Sequence, residues 1–380
     1  MQNDKTTVSV LTARGMAAIG SIAVAGDSAK EILEKVFRSY NPTSKTCGSE
    51  TGGTVHGVIV DGQRVIDEVL VGCEGANRFV IHCHGNPLLL EQVIKLLQSH
   101  GAKLTDAEHF AFSQHQAASE NLIEAEAKLA MQKSATLLGV KILRAQIDSG
   151  LSTWAQKTVE SFEKMALEAI RRECIEILEH SKVAKRIIEG VRIVIAGPPN
   201  SGKSTLLNCL AGQQQAVVSD TAGTTRDWVS VMCQLGPIRA ELIDTAGLDD
   251  ALAGKDTIEQ TAQQITKELL ESSDLVLYVQ DVIEVRSQKP EARINLACPV
   301  IYIGNKCDLL KSQASSLKSI DISAKENQGM DLLAEAIMKI LGVSRFDFAA
   351  PVVFTTRQRR LFDAILNDPA AAQGALERLR

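Results

Sequence analysis

Gly197-Pro-Pro-Asn-Ser-Gly-Lys-Ser204 follows the apolar run Arg192-Ile-Val-Ile-Ala196 and precedes Thr205-Leu-Leu-Asn-Cys-Leu210. The order is buried strand, glycine-rich turn, helix. The spacing G-x-x-x-x-G-K-S in that context makes a phosphate cradle. Its glycines let successive backbone N–H groups turn inward, and the helix N-terminus adds positive potential. Asn200, Ser201, Gly202, Lys203, Ser204 and Thr205 are the expected contacts on the phosphate side. Lys203 is placed to reach the β- and γ-phosphates, and the Ser204 hydroxyl to ligate Mg²⁺.

Further signals lie downstream at strand ends. Asp244-Thr-Ala-Gly247 follows Ala240-Glu-Leu-Ile243. A D-x-x-G there supplies Asp244 to the Mg²⁺ shell and an amide at Gly247 that can sense the γ-phosphate; Thr245 and Ala246 fall within the same contact. Asn305-Lys-Cys-Asp308 follows Val300-Ile-Tyr-Ile303. The Asp308 carboxylate can accept from guanine N1 and N2, a pair that adenine cannot offer. Lys306 belongs to the same motif, and Ser323-Ala-Lys325 matches a loop that covers the base. Between the phosphate loop and Asp244 lies Ser219-Asp-Thr-Ala-Gly-Thr-Thr-Arg-Asp227. Thr225 is the expected second protein ligand to Mg²⁺, and Ser219, Asp220, Thr221, Ala222, Gly223 and Thr224 line the same loop. In this order the motifs are a guanine-nucleotide signature.

Apolar strand runs alternating with helical stretches over 189–343 predict a doubly wound α/β domain. Before it, Leu122, Ala125, Leu129, Leu137, Leu143 and Ile147 recur at helical spacing, as do Leu151, Val159, Phe162, Met165, Ile170, Ile175 and Leu178. They predict helices packed as a bundle over 118–188. After it, 344–380 reads as a strand-like Val352-Val-Phe354 followed by helix. Residues 1–117 read as a small α+β domain, with strands at Thr7–Leu11, Ile19–Val24, Val55–Val60, Glu68–Val71 and Phe79–His84 and helices over 27–38 and 86–101. Two elements carry an alternative. His82 and His84 share one strand face and could help hold a metal, although a structural role is simpler. Arg357, Arg359 and Arg360 read as a solvated helix face, with RNA contact as the other reading.

Composition narrows the function classes. The 380 residues carry 41 basic and 46 acidic side chains, a net charge of −5, so a broad basic surface for nucleic acid is excluded. Aromatic content of 4 % leaves no stacking platform for single strands. The eight cysteines are scattered without a C-x-x-C pair, and the first residues lack the apolar core of a secretory signal. No apolar run reaches membrane-spanning length. A cytoplasmic protein with free thiols and no membrane association is expected.

The G-T-T-R-D stretch at 223–227 resembles the Era branch of Ras-like GTPases. The helices on both sides of the α/β domain, together with Ile81-His-Cys-His-Gly85, make the whole chain resemble the tRNA-modification GTPase MnmE (TrmE) family. That resemblance implies a multidomain fold: an α+β N-terminal domain (1–117) that dimerises and binds a folate, an α-helical bundle (118–188 and 344–380), and an inserted α/β P-loop GTPase domain (189–343). It also implies a homodimer through the N-terminal domains and the GTP-bound G domains, a MnmG-like flavoprotein partner, and tRNA as the substrate modified at the wobble uridine. It implies K⁺ in place of an arginine finger, held by Asn200, Ser219, Thr221 and Thr224. Leu248 stands where Ras-type proteins have a glutamine, and its side chain has no atom that can orient water. Asp256-Thr-Ile-Glu259 matches the family stretch that carries the water-positioning glutamate, which makes Glu259, with Lys203, the catalytic candidate.

The sequence also departs from the family. Ala23 stands where the family has an arginine, Gly75-Ala-Asn-Arg78 replaces a longer segment, and Phe110–Ser119 matches poorly. These segments border the family's folate pocket, which counts against folate binding here. The family's C-x-G-K motif has no match, the last cysteine being Cys307. Three functions are therefore open: a GTPase that serves tRNA modification, a repurposed GTPase switch or scaffold that has lost the modification chemistry, or an Era-like assembly factor on ribosomal RNA, against which the acidic charge and the lack of a KH-type G-x-x-G RNA clamp count.

Overall fold

A computed structural model describes residues 6–13, 15–41, 52–163, 165–213, 229–244, 272–283, 298–310 and 319–380. The chain divides into two compact units, Met1–Glu120 and Asn121–Arg380.

In the first unit the strands are β1 (Thr7–Val10), β2 (Ile19–Ala25), β3 (Phe37–Ser39), β4 (Thr54–Asp61), β5 (Arg64–Gly75), β6 (Arg78–His84) and β7 (Lys103–Leu104). They form one sheet in the order β3-β4-β5-β6-β2-β1-β7, antiparallel except for β1 with β7. Period-2 alternation along β2 sends Ile22 and Val24 to one face and Ala23 and Ala25 to the other. The first face packs on α1 (Ala29–Val36) and α2 (Pro87–Ser99) through Ile32, Leu33, Val93 and Leu97. Each large side chain fully buried there contributes about 1.5–3 kcal/mol. On the second face, Phe110 of α3 (Ala107–Ala117) packs with Ala23, Ala25 and Val80 in a buried apolar patch. The helix expected over 27–38 stops at Val36. Phe37 is buried and pairs with Ile59, so the chain turns directly into a strand.

The second unit begins with α4 (Leu122–Lys133), α5 (Leu137–Asp148), α6 (Leu151–Ser161) and α7 (Leu167–Glu189). Its α/β part follows, with β8 (Val191–Ala196), α8 (Lys203–Gln213), β9 (Val229–Leu235), β10 (Ile238–Asp244), β11 (Leu275–Asp281), β12 (Val300–Asn305), β13 (Ile320–Asp321) and α9 (Met330–Ile340). The strand order is β13-β12-β11-β8-β10-β9, parallel except for the β9–β10 pair. Two helices close the chain: α10 (Thr356–Asn367) and α11 (Ala372–Leu379). Ile142, Leu143, Ala184 and Ile187 of α5 and α7 lie in the same apolar core as Ile193, Leu242 and Leu277 of the sheet. Bundle and sheet are thus packed on one another.

Two polar hubs hold the bundle together. Glu126 is 7 % exposed and accepts from Arg357 Nε (2.7 Å) and Nη2 (2.8 Å), Gln358 Nε2 (2.7 Å) and Thr355 Oγ1 (3.1 Å). Gln146 is fully buried; its Oε1 accepts from Leu151 N and Val352 N, and its Nε2 donates to Ile142 O and Ala350 O. Val352–Phe354 is therefore not a strand. Its amides are taken by Gln146, by Ser181 Oγ (2.8 Å) and by Gln358 Oε1 (3.0 Å). The expected stripes also shift. Leu137 is 84 % and Ile175 52 % exposed, while Ile123, Cys174 and Ile177 take the buried positions. Arg357 is committed to Glu126 and is not part of a solvated basic face.

Candidate functional site

The phosphate loop leaves β8 at Gly197, whose φ of 144° suits glycine, and a Cβ there would run into the Val279 carbonyl. At Gly202 (φ 93°) a Cβ would meet Asn305 Nδ2. Both glycines are demanded by close approach, one to β11 and one to the base-side motif. Asn200 is exposed and left-handed at φ 61°.

Inside the loop the polar groups are held provisionally. Lys203 is 5 % exposed, and its ammonium donates back to Gly197 O (2.9 Å) and Pro198 O (3.1 Å). A buried ammonium needs anionic or carbonyl partners, and a phosphate is the stronger acceptor. Ser201 is 2 % exposed, and its Oγ has no hydrogen-bond partner among the described residues. A buried hydroxyl left unsatisfied costs about 1–3 kcal/mol. Such a group fits a loop shaped to receive ligand oxygens.

Ser204 Oγ donates to Asp244 Oδ2 at 2.6 Å, across 40 residues of sequence. The hydroxyl and the carboxylate are hard oxygen donors suited to Mg²⁺. They meet because β8 and β10 are adjacent parallel strands: Asp244 ends β10, and Ser204 lies in the first turn of α8, just beyond the end of β8.

The base side is built on Asn305, the last residue of β12 and 3 % exposed. Its Nδ2 donates to Ser201 O (2.9 Å) and its Oδ1 accepts from Ala324 N (3.0 Å). One side chain thus ties the phosphate loop to the Ser323-Ala-Lys325 loop. Ser323 is fully buried, and its Oγ accepts from Glu326 N. Lys325 is exposed beside Glu326. Lys306 is left-handed at φ 65° and opens the short turn Cys307–Leu309, on which Asp308 is exposed.

Asn200, Ser201, Gly202, Lys203, Ser204, Thr205 and Asp244 therefore gather at one end of the sheet, joined through Asn305 to Ala324. Ser219, Asp220, Thr221, Ala222, Gly223, Thr224, Thr225, Thr245, Ala246, Gly247 and Glu259 lie outside the described residues. One contributor escaped the motif reading: Asp281, at the end of β11, accepts from Lys306 Nζ at 3.0 Å. Its only sequence signal is an acidic residue closing an apolar strand run.

Elsewhere, His82 Nδ1 lies 2.9 Å from Ser21 Oγ, and His84 Nδ1 lies 2.7 Å from Asp67 Oδ1. Among the described residues no group of His, Cys, Asp and Glu is arranged to hold a metal. Burial pushes the Cys83 thiol up to about 11, with help from the Asp67 charge, and the Cys174 thiol up to about 12, so neither is a ready nucleophile. No helix among the described residues is long and apolar enough to cross a membrane.

The model of the family described as "GTP-binding protein TrmE N-terminus" matches residues 6–120, and that of the "50S ribosome-binding GTPase" matches residues 192–306. The tRNA modification GTPase MnmE of Nitratidesulfovibrio vulgaris (strain DP4) is 31 % identical over 378 residues, covering 89 % of this chain and 81 % of the relative. That of Flavobacterium psychrophilum is 29 % identical over 408 residues, covering 95 % and 87 %. Among solved structures, a probable GTP-binding protein engB aligns with 40 % of this chain and 99 % of its own, with 21 % identity and a TM-score of 0.29. With a nucleotide site of this build and relatives matched over most of both chains, the protein belongs to the MnmE family of tRNA modification GTPases and hydrolyses GTP.

Proposed function

We propose that this protein couples its GTPase cycle to tRNA modification, with the phosphate loop, Asp244 and Asn305 as the frame of the nucleotide site. The observation that carries the nucleotide-site reading is the Asn305 bridge, which links Ser201 of the phosphate loop to Ala324 of the base loop through one buried side chain; the tRNA link is supported by the similarity to MnmE relatives over most of both chains. Such a bridge would couple phosphate recognition to base recognition.

In this scheme the Lys203 ammonium leaves the Gly197 and Pro198 carbonyls to take the β- and γ-phosphates. Asn200, Ser201, Gly202 and Thr205 surround the same phosphates. Ser204, Asp244 and Thr225 hold Mg²⁺, which when bound neutralises phosphate charge. The Ser204–Asp244 hydrogen bond supports that assignment. Thr245, Ala246 and Gly247 follow the γ-phosphate, and Asp220, Ala222 and Gly223 complete the switch loop. Asp308 reads guanine N1 and N2, with Lys306, Ser323, Ala324 and Lys325 around the base. Glu259 orients the attacking water, a task for which Leu248 has no suitable atom. Asn200, Ser219, Thr221 and Thr224 would hold K⁺; Asn200 is exposed and left-handed.

The partners are a second copy of the chain, through the N-terminal units and the GTP-bound G domains, a MnmG-like flavoprotein, and tRNA, in the cytoplasm. Folate has no part in the scheme. Ala23, at the place of the family's arginine, is buried with Ala25, Val80 and Phe110 and brings no guanidinium to that face. The same patch favours the second reading, a GTPase switch that has given up folate-dependent chemistry. Nucleoside mass spectrometry of bulk tRNA from cells lacking the gene separates the two. Loss of a modified wobble uridine is the expected result. An unchanged profile would overturn the tRNA role and leave the switch.

A further inference from the structure

Asp281 closes β11 one strand away from Asn305-Lys-Cys-Asp308, and in the sheet register it stands beside Asn305. Its Oδ1 accepts the Ile283 amide at 2.9 Å and its Oδ2 accepts the Lys306 ammonium at 3.0 Å. The carboxylate is thus oriented by its own backbone before it meets the lysine. Burial alone would raise its pKa. The Ile283 amide and the Lys306 ammonium outweigh that and hold it below the usual carboxylate range, so it is ionised at neutral pH.

Lys306 is the residue at which the chain turns out of β12 toward Asp308. Its φ of 65° is a conformation that a residue with a side chain keeps only when its neighbours enforce it. Before it, Asn305 is clamped by Ser201 and Ala324. After it, the Cys307 amide donates to Ile322 O at 3.0 Å. The backbone is held on both sides of the turn, and Asp281 holds the side chain.

We propose that Asp281 is a positioning residue for guanine nucleotides. It anchors Lys306, and through the left-handed turn at Lys306 it sets how Asp308 meets the base. The assignment rests on Asp308 being the carboxylate that reads guanine.

The test is a double-mutant cycle in the full-length chain, read as the dissociation rate of a fluorescent GDP analogue and as kcat and KM for GTP. Asp281→Asn keeps the shape and an oxygen for the Ile283 amide but removes the charge. It should speed GDP release roughly fivefold and raise KM while leaving kcat unchanged, the size expected of one partly screened charge-assisted hydrogen bond. In a Lys306→Ala background the same change should add nothing. Release as slow as in the parent overturns the proposal, and so does an Asp281→Asn effect that persists undiminished without Lys306. Failure of the underlying assignment is read separately. Asp308→Asn should shift preference from guanosine to xanthosine nucleotides, because an amide N–H can meet xanthine's C2 carbonyl. If preference for guanine survives in Asp308→Asn, the base reading itself fails, whatever Asp281 does.

Discussion

The helical bundle and the phosphate loop both bury polar side chains, but they treat them differently. In the bundle, Glu126 is surrounded by Arg357, Gln358 and Thr355, and Gln146 uses both its oxygen and its nitrogen on backbone groups. In the phosphate loop, Lys203 folds back on its own carbonyls and the Ser201 hydroxyl has no partner among the described residues. A fully satisfied polar network makes one arrangement of the chain unique. A partly satisfied one is the mark of a ligand still to come. The contrast separates residues that build the protein from residues that serve its substrate.

The largest test of that contrast is Glu126→Ala. It would leave Arg357 and Gln358 without their acceptor, and should cost about 3–4 kcal/mol. For a unit of this size the melting temperature should fall by roughly 10 °C. Calorimetry checks it; an unchanged transition would show that the hub is not what joins α4 to α10. Next comes Lys203→Ala, for which titration with GTP should give an affinity loss of roughly 100-fold or more. Its melting temperature without nucleotide should stay near the parent's, since the lysine's partners there are only loop carbonyls. A variant that bound GTP like the parent would end the phosphate-loop assignment.

A smaller effect should have opposite signs in two measurements. Ser201→Ala removes a buried hydroxyl that lacks a partner, so the nucleotide-free protein should gain up to about 1 kcal/mol of stability. The same variant should bind GTP several-fold more weakly. Loss of both stability and affinity would place Ser201 with the builders. The smallest effect belongs to Asp281, whose pair with Lys306 lies between the two classes. Its folded pKa is lowered, so its contribution is present above the unfolded carboxylate value of about 3.9 and is lost as pH falls through the folded value. The stability difference between parent and Asp281→Asn should be level from about pH 8 to pH 5 and shrink below about pH 4.

The nucleotide site was legible because its parts are local. Gly197 to Ser204, Asp244, Asn305 to Asp308 and Ser323 to Lys325 each work through backbone shape and one or two side chains at fixed spacing. The bundle was legible only as helices. Periodicity announces that a face is apolar, yet it names no partner: Leu137 and Ile175 fall on the apolar stripes but are exposed, and the packed faces run through Ile123, Cys174 and Ile177. Val352-Val-Phe354 has the composition of a strand, but its amides bond to side chains of Gln146, Ser181 and Gln358. Arg357 and Arg359 look alike in sequence. One closes a buried carboxylate and the other pairs with Asp363 on its own helix.

The sequence by itself determined the guanine-nucleotide chemistry, the strand–helix alternation around it and the resemblance to one GTPase family. These depend on residues near one another along the chain, and their spacing reports their geometry. Only the tertiary structure decided that Glu126 meets Arg357, 231 residues away, that Gln146 secures Val352, and that Asp281 holds Lys306 from the neighbouring strand. Such contacts depend on where distant segments come to rest, and no spacing in the chain encodes that.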